Sequence, residues 1–266
     1  MRYSNLHNHS TYSDGKSTME ENIQAAIRKN MRSLGFSDHS FTACDTSYCM
    51  KLEDYAPYLR EIAALKEKYA GVMPIYAGLE LDYYSDTDVT VFDYFLASVH
   101  YIVKDGFCHA IDHSPQQQKF CIDTAFNGDV LAMAECYYTM VCEHVEKWKP
   151  TFVGHFDLIT KFSLIPEEDP RYQALAREAL KRVIRACPYI EVNTGAISRG
   201  WRTTPYPGAY LLDTLKAAGG QVLLNADSHH ADNLTTFFDE SVEILKQNGI
   251  DHICMWNGKT FDEVGI

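Results

Sequence analysis

Short apolar runs recur along this chain, and most of them lead into a histidine or a carboxylate. Residues 4–6 lead to His7-Asn8-His9, residues 34–37 to Asp38-His39, and residues 95–99 to His100. Residues 151–154 close on His155, residues 222–226 lead to Asp227-Ser228-His229, and Glu80 lies inside the apolar run 72–81. Short apolar runs bounded by turn residues read as buried strands. Helical patterns separate them from end to end. That alternation predicts an α/β fold, with parallel strands joined by helical crossovers in one sheet or barrel. In a parallel barrel the carboxyl ends of the strands meet on one face, and these side chains would meet with them.

The strand candidates are residues 4–6, 33–37, 72–81, 94–100, 151–154, 189–193, 221–225 and 252–255. Ser17-Thr18-Met19-Glu20 has capping-box spacing, and Ile23, Ala26 and Ile27 follow at helical intervals. Further helices are predicted over 52–69, 129–148, 171–186, 209–218 and 239–247. Residues 104–127 fit no element and read as a lid or binding loop. No Pro/Gly/Ser-rich linker interrupts the pattern, so residues 1–266 read as a single domain with a (β/α) barrel core.

The net charge of −12 argues against nucleic-acid or anionic-membrane partners, because no basic stripe offsets phosphate repulsion. The N-terminus has no apolar signal region and no stretch is long enough to span a bilayer, so a cytoplasmic location is expected. The eight cysteines form no Cys-x-x-Cys pair and are expected to be free thiols. Oligomeric state is not readable.

His7 and His9 are two apart, which on an extended segment puts both imidazoles on one face. Singly, His-x-His, a turn aspartate (Asp14) or a strand-end histidine (His39) is a weak signal. Glu80 is stronger, since a carboxylate in an apolar run is costly unless paired or bound to an ion. Together His7, His9, Asp14, His39, Glu80, His100, His155, Asp227 and His229 exceed what one catalytic ion takes from protein. Two or three ions are implied.

That set, in that order, resembles the polymerase-and-histidinol-phosphatase (PHP) superfamily of metal-dependent phosphoesterases, over nearly the whole chain. Within it the chain is similar to monofunctional histidinol-phosphate phosphatases. The residues concerned are Gly128-Asp129 before a helix with Tyr137-Tyr138, Gly154-His155-Phe156-Asp157-Leu158-Ile159, and Asn193-Thr194-Gly195 followed by Arg199. The resemblance implies a distorted seven-stranded TIM-like (β/α) barrel with a trinuclear centre of divalent ions. His7, His9, Glu80 and Asp227 would hold one ion. Glu80, His100 and His155 would hold a second, and Asp14, His39 and His229 a third. His and carboxylate donors suit Zn, Fe or Mn.

The implied reaction is hydrolysis of L-histidinol phosphate to L-histidinol and phosphate, in histidine biosynthesis, with a hydroxide between two ions as nucleophile. Another small phosphate monoester, such as a nucleotide, a sugar phosphate or phosphotyrosine, is the alternative. A purely structural metal module fits less well, because such sites are usually closed and cysteine-rich. An amidohydrolase would bring a metal-bridging lysine, and none stands in a ligand-like position. Arg199 is the first candidate for phosphate contact, followed by Lys161 and Arg202. Asp227 or His229 would orient or deliver the leaving-group proton. Asp112, Asp157 or Asn193 would accept from the leaving amino alcohol, and His109 and His113 would line the entrance. His144, His230 and His252 read as structural or surface residues.

Overall fold

A computed structural model describes residues 1–266. The first half of the chain runs β1 (Ser4–Asn5), α1 (Met19–Arg28), β2 (Ser33–Phe36), α2 (Tyr55–Lys68), β3 (Ile75–Ala77), β4 (Glu80–Asp82), β5 (Leu96–Ser98), β6 (Tyr101–Lys104), β7 (Phe107–Ala110), α3 (Pro115–Ala125) and α4 (Val130–Trp148). The second half runs β8 (Phe152–Val153), α5 (Pro170–Ala186), β9 (Tyr189–Asn193), α6 (Gly195–Ser198), α7 (Leu212–Ala217), β10 (Gln221–Asn225), α8 (Phe238–Gln247), β11 (His252–Trp256) and β12 (Phe261–Gly265). The predicted alternation is present, and the parallel strands are short.

Those strands form two sheets, β1-β2-β3 and β10-β9-β8-β5-β4. Two single parallel bridges join them, Asn8 with Ser228 and His39 with Glu80. The ladders do not run continuously around a closed barrel. Both bridges lie where ligand candidates lie, so the seams between the sheets are also the floor of the site.

Three expectations need correction. Residues 72–81 do not form one strand. The chain breaks at Gly78-Leu79, and β3 and β4 belong to different sheets. At the break the Tyr94 ring lies where a side chain at Gly78 would be, 2.1 Å from an ideal Cβ. Second, residues 104–127 are not a bare loop. Their start completes the antiparallel β6–β7 hairpin, and α3 follows, capped by Ser114. Asp105 and Gly106 both have positive φ at the hairpin turn, a conformation an Asp-Gly pair favours. Third, residues 252–255 pair antiparallel with β12 and stand outside the parallel sheets.

Helix α1 does open with a capping box, one residue later than the spacing suggested. Thr18 is the cap and Glu21 its reciprocal partner. The cysteines are not all free. Cys44 and Cys108 are joined, tying the loop after β2 to β7, while the other six are thiols. Such a bond escapes a sequence reading because it needs only spatial closeness, here across 64 residues. No helix is long and apolar enough to cross a membrane.

Candidate metal centre

His7 and His9 leave β1 on an extended segment, so both rings face the site while Asn8 makes the bridge to Ser228. The backbone pairing is reciprocal, His9 N to Ser228 O at 2.8 Å and Ser228 N to His7 O at 3.2 Å. Asp227 reaches the same place differently. Its φ of 46° turns the chain after β10, a left-handed conformation that Asp tolerates better than most residues. The two-residue spacing of Asp227 and His229 therefore works through a turn and not through strand alternation.

Glu80 opens β4 and is fully buried. Five imidazoles stand within 3.5 Å of its oxygens: His39 at 2.8, His155 at 2.9, His7 at 3.2, His100 at 3.3 and His9 at 3.5 Å. Asp227 Oδ1 lies 3.3 Å from His9 Nε2, and Asp14 Oδ2 lies 3.1 Å from His229 Nε2. The donors fall into four overlapping groups, each compact enough for one ion. These are His7, His9 and Asp227; His7, Glu80 and His155; His39, Glu80 and His100; and His9, Asp14, His39 and His229. All nine residues singled out in the sequence are brought together.

The electrostatics fit divalent cations. Burial works against charge on Glu80, but His39, His7 and His100 hold its carboxyl well below the usual range. Burial likewise opposes charge on Asp227, and Arg199 and His7 overcome it. Burial, with His229 and His39 nearby, pushes His9 down to about 3, so its imidazole is neutral and free to ligate. His7 Nε2, both ring nitrogens of His9, His155 Nδ1 and Glu80 Oε2 are buried without a hydrogen-bond partner. Orphaned donor atoms of this kind are costly in a protein interior unless something binds them. A cluster of His and carboxylate groups with no cysteine suits an open site that also holds water or substrate.

Supporting contacts were mostly invisible in the sequence. Glu191, within β9, accepts from His7 Nδ1 at 2.7 Å and from the His155 backbone N at 2.8 Å. The amides of Asn193 and Asn225 also donate to it, at 2.8 and 3.0 Å. Its signal was the same as that of Glu80, a carboxylate inside an apolar strand. Asp82 holds His100 Nδ1 at 3.1 Å. Asp38 accepts from the backbone and hydroxyl of both Ser10 and Ser13, fixing the loop that carries Asp14.

A cavity of about 200 Å³ opens over the centre. Arg199 and Lys161 both line it, as do Asp112 and His113. Arg199 reaches Asp227 Oδ2 at 3.0 Å and His229 Nδ1 at 3.1 Å, and its buried Nε has no partner. Gly195 makes that approach possible, since a Cβ there would sit 2.8 Å from both Arg199 and Asp227. Lys161 pairs with Asp112 Oδ2 at 3.1 Å. Arg202 is elsewhere, bonded to Thr160 and Glu167 and absent from the cavity wall. Asp157 and Asn193 are structural too, accepting from the backbone N of Gly208 and Gly195. His109 packs on Phe107 and does not line the cavity. His144 bonds to Leu81 O, and His230 and His252 pair with exposed neighbours, as expected.

Scaffold and site together define a protein built to hold divalent metal at the strand ends of a parallel α/β fold. The model of the PHP domain matches residues 5–195, and the chain belongs to the PHP domain family. It is similar to a probable histidinol-phosphatase of Schizosaccharomyces pombe, 26% identical, covering 94% of this chain and 88% of that one. A probable histidinol-phosphatase of Deinococcus radiodurans is 27% identical, covering 87% of this chain and 88% of that one. Among solved structures, a putative histidinol phosphatase of Listeria monocytogenes superposes with a TM-score of 0.78 at 19% identity, over 89% of this chain and 99% of that one. The histidinol phosphate phosphatase of Lactococcus lactis, complexed with zinc, L-histidinol and phosphate, gives 0.71 at 21% identity, over 98% of this chain and 99% of that one.

Proposed function

We propose that this protein is a metal-dependent phosphatase that hydrolyses L-histidinol phosphate to L-histidinol and phosphate at a trinuclear centre on a distorted seven-stranded barrel. The observation that carries the proposal is Glu80, one buried carboxylate within 3.5 Å of five imidazoles. The substrate is taken from the relatives, which cover most of this chain, and from the ligands of the Lactococcus lactis protein.

His7, His9, Glu80 and Asp227 would hold one ion, Glu80, His100 and His155 a second, and Asp14, His39 and His229 a third. Zn, Fe or Mn bound there would neutralise phosphoryl charge and supply hydroxide as the nucleophile at neutral pH. The remaining work falls to side chains. Arg199, anchored on Asp227, presents its guanidinium to the phosphoryl oxygens. Lys161 adds a second positive charge at the cavity wall, held by Asp112. Glu191 fixes His7 through Nδ1, so that Nε2 faces the centre. Asp227 or His229 would orient or deliver the proton that the leaving alkoxide takes up.

The test is phosphate release from L-histidinol phosphate beside nucleotides, sugar phosphates and phosphotyrosine, with Mn, Zn or Fe added and with chelator. Fast, chelator-sensitive, selective release from L-histidinol phosphate is expected. Chelator-sensitive release from other esters alone would discard the substrate, and no release from any would discard the enzyme.

A further inference from the structure

Tyr48 stands in the wall of the cavity over the centre, and nothing in the sequence singled it out. Its hydroxyl is shut off from bulk solvent and has no hydrogen-bond partner within the protein. Buried tyrosine hydroxyls normally find one. Most of the others here follow that rule: Tyr58 donates to Gly78 O, Tyr137 to Phe156 O, and Tyr138 pairs with Tyr172. Tyr206 is the one other tyrosine with an orphaned buried hydroxyl, and it is not in the cavity wall.

The ring of Tyr48 is fixed on the centre itself. It meets His39 edge-on, with centroids 4.8 Å apart, and lies 6.3 Å from the ring of His100. On its other side it stacks on Tyr101 at 6.1 Å. The loop that carries it is tied down twice. Cys44 is bonded to Cys108 of the β6–β7 hairpin, and Tyr101 donates to Asp45 Oδ2 at 3.2 Å. A donor held this firmly loses little freedom when a ligand arrives.

We infer that Tyr48 is a substrate-contacting residue whose hydroxyl donates a hydrogen bond to a phosphoryl oxygen of the bound phosphate monoester. The inference rests on the proposed function of the site. A phenol is neutral at ordinary pH and donates one proton, and an anionic phosphoryl oxygen is a strong acceptor. The phosphoryl group is also the part of the substrate that ions at His39 and His100 would draw in. Arg199 would approach the same group from Asp227 and His229, so the two donors grip it from separate walls.

The experiment compares wild type with Tyr48→Phe, which removes the hydroxyl and keeps the ring against His39. Both proteins are loaded with metal, their metal content is measured, and inorganic phosphate is titrated calorimetrically. Tyr48→Phe is expected to bind phosphate roughly 10- to 100-fold more weakly, the range for losing a hydrogen bond to a charged group. Metal content and unfolding midpoint should stay at the wild-type level. Equal phosphate affinity in the two proteins would overturn the contact. So would a loss of metal in Tyr48→Phe, which would make the residue a support for His39. A wild type that binds metal but no phosphate would overturn the reading of the whole site, and the Tyr48 contact with it.

Discussion

Glu80 shows what one residue can fix. Its carboxylate draws His7, His39 and His100 toward the protonated form, and a bound divalent ion would displace those protons. Glu80→Gln or His9→Ala should therefore remove the site's reason for cohering. Hydrolysis is expected to fall by roughly a thousandfold or more, the scale of several kcal/mol of lost charge stabilisation. Circular dichroism should show the fold retained, and turnover at the wild-type rate in either variant would sink the assigned centre. Glu191→Gln tests the layer behind. An amide would set its NH₂ group against the donors at one of the two oxygens, either His155 and Asn193 or His7 and Asn225, that the carboxylate now accepts. Metal affinity should drop roughly 10- to 100-fold, read by competition with a chromogenic chelator. Unchanged affinity would mean His7 needs no such anchor. Most of the candidate ligands were legible in the sequence because they sit at or just past strand ends, where topology does the gathering, whereas Asp14 lies in a loop. Tyr48 and Arg202 were not, because a loop residue's neighbours follow from tertiary packing alone. Arg202 sits close in sequence to Arg199, yet it turns to Glu167 and Thr160.

Elements carry the site through two fixtures that the sequence hid. The first is the break between β3 and β4. Tyr94 threads past Gly35 and Gly78 and donates to the carbonyl oxygens of Leu6 and Phe36, pinning β1, β2 and β3 at one point. Gly78→Ala would force a methyl into that ring. A loss of about 1–3 kcal/mol or more is expected in urea unfolding, as for other overpacked cores. No change would show that the ring yields. The apolar run 72–81 was readable as buried, but periodicity cannot reveal a residue whose role is to leave space for a distant ring. The second fixture is the Cys44–Cys108 bond, which holds the Tyr48 loop to the hairpin. Replacing both cysteines with serine should cost about 2–4 kcal/mol, typical for a long closed loop. Hydrogen exchange should rise in residues 41–50 and 101–110 and stay unchanged in α5 and α8. If exchange rises evenly across the chain, the bond supports the whole fold and has no special tie to the cavity mouth.

At the scale of the whole molecule, an acidic protein must draw a dianionic ester into a cavity rimmed by carboxylates. The net charge is −12, and Asp14, Asp112 and Asp227 all face the cavity. Arg199 and Lys161 are both already paired with those acids, so side chains alone leave little positive potential. Three divalent ions would reverse this, since their six charges outweigh the three ligand carboxylates. Ions held there would also tie the seams between the two sheets, since the Asn8–Ser228 bridge lies between His7, His9 and His229, and His39 pairs directly with Glu80. Metal removal should then act on stability as well as on rate, because a ligand that binds only the folded state stabilises it by mass action. Dialysis against a strong chelator is expected to abolish hydrolysis and lower the unfolding midpoint by several degrees, and both should return with Zn, Fe or Mn. The size of the thermal shift should follow the affinity of the ion added. Recovery of rate without recovery of the midpoint would place the ions in the cavity but not in the seams. A midpoint indifferent to chelator and to metal would mean that the two sheets cohere through their apolar cores alone, with the imidazole cluster an addition to a fold that does not need it.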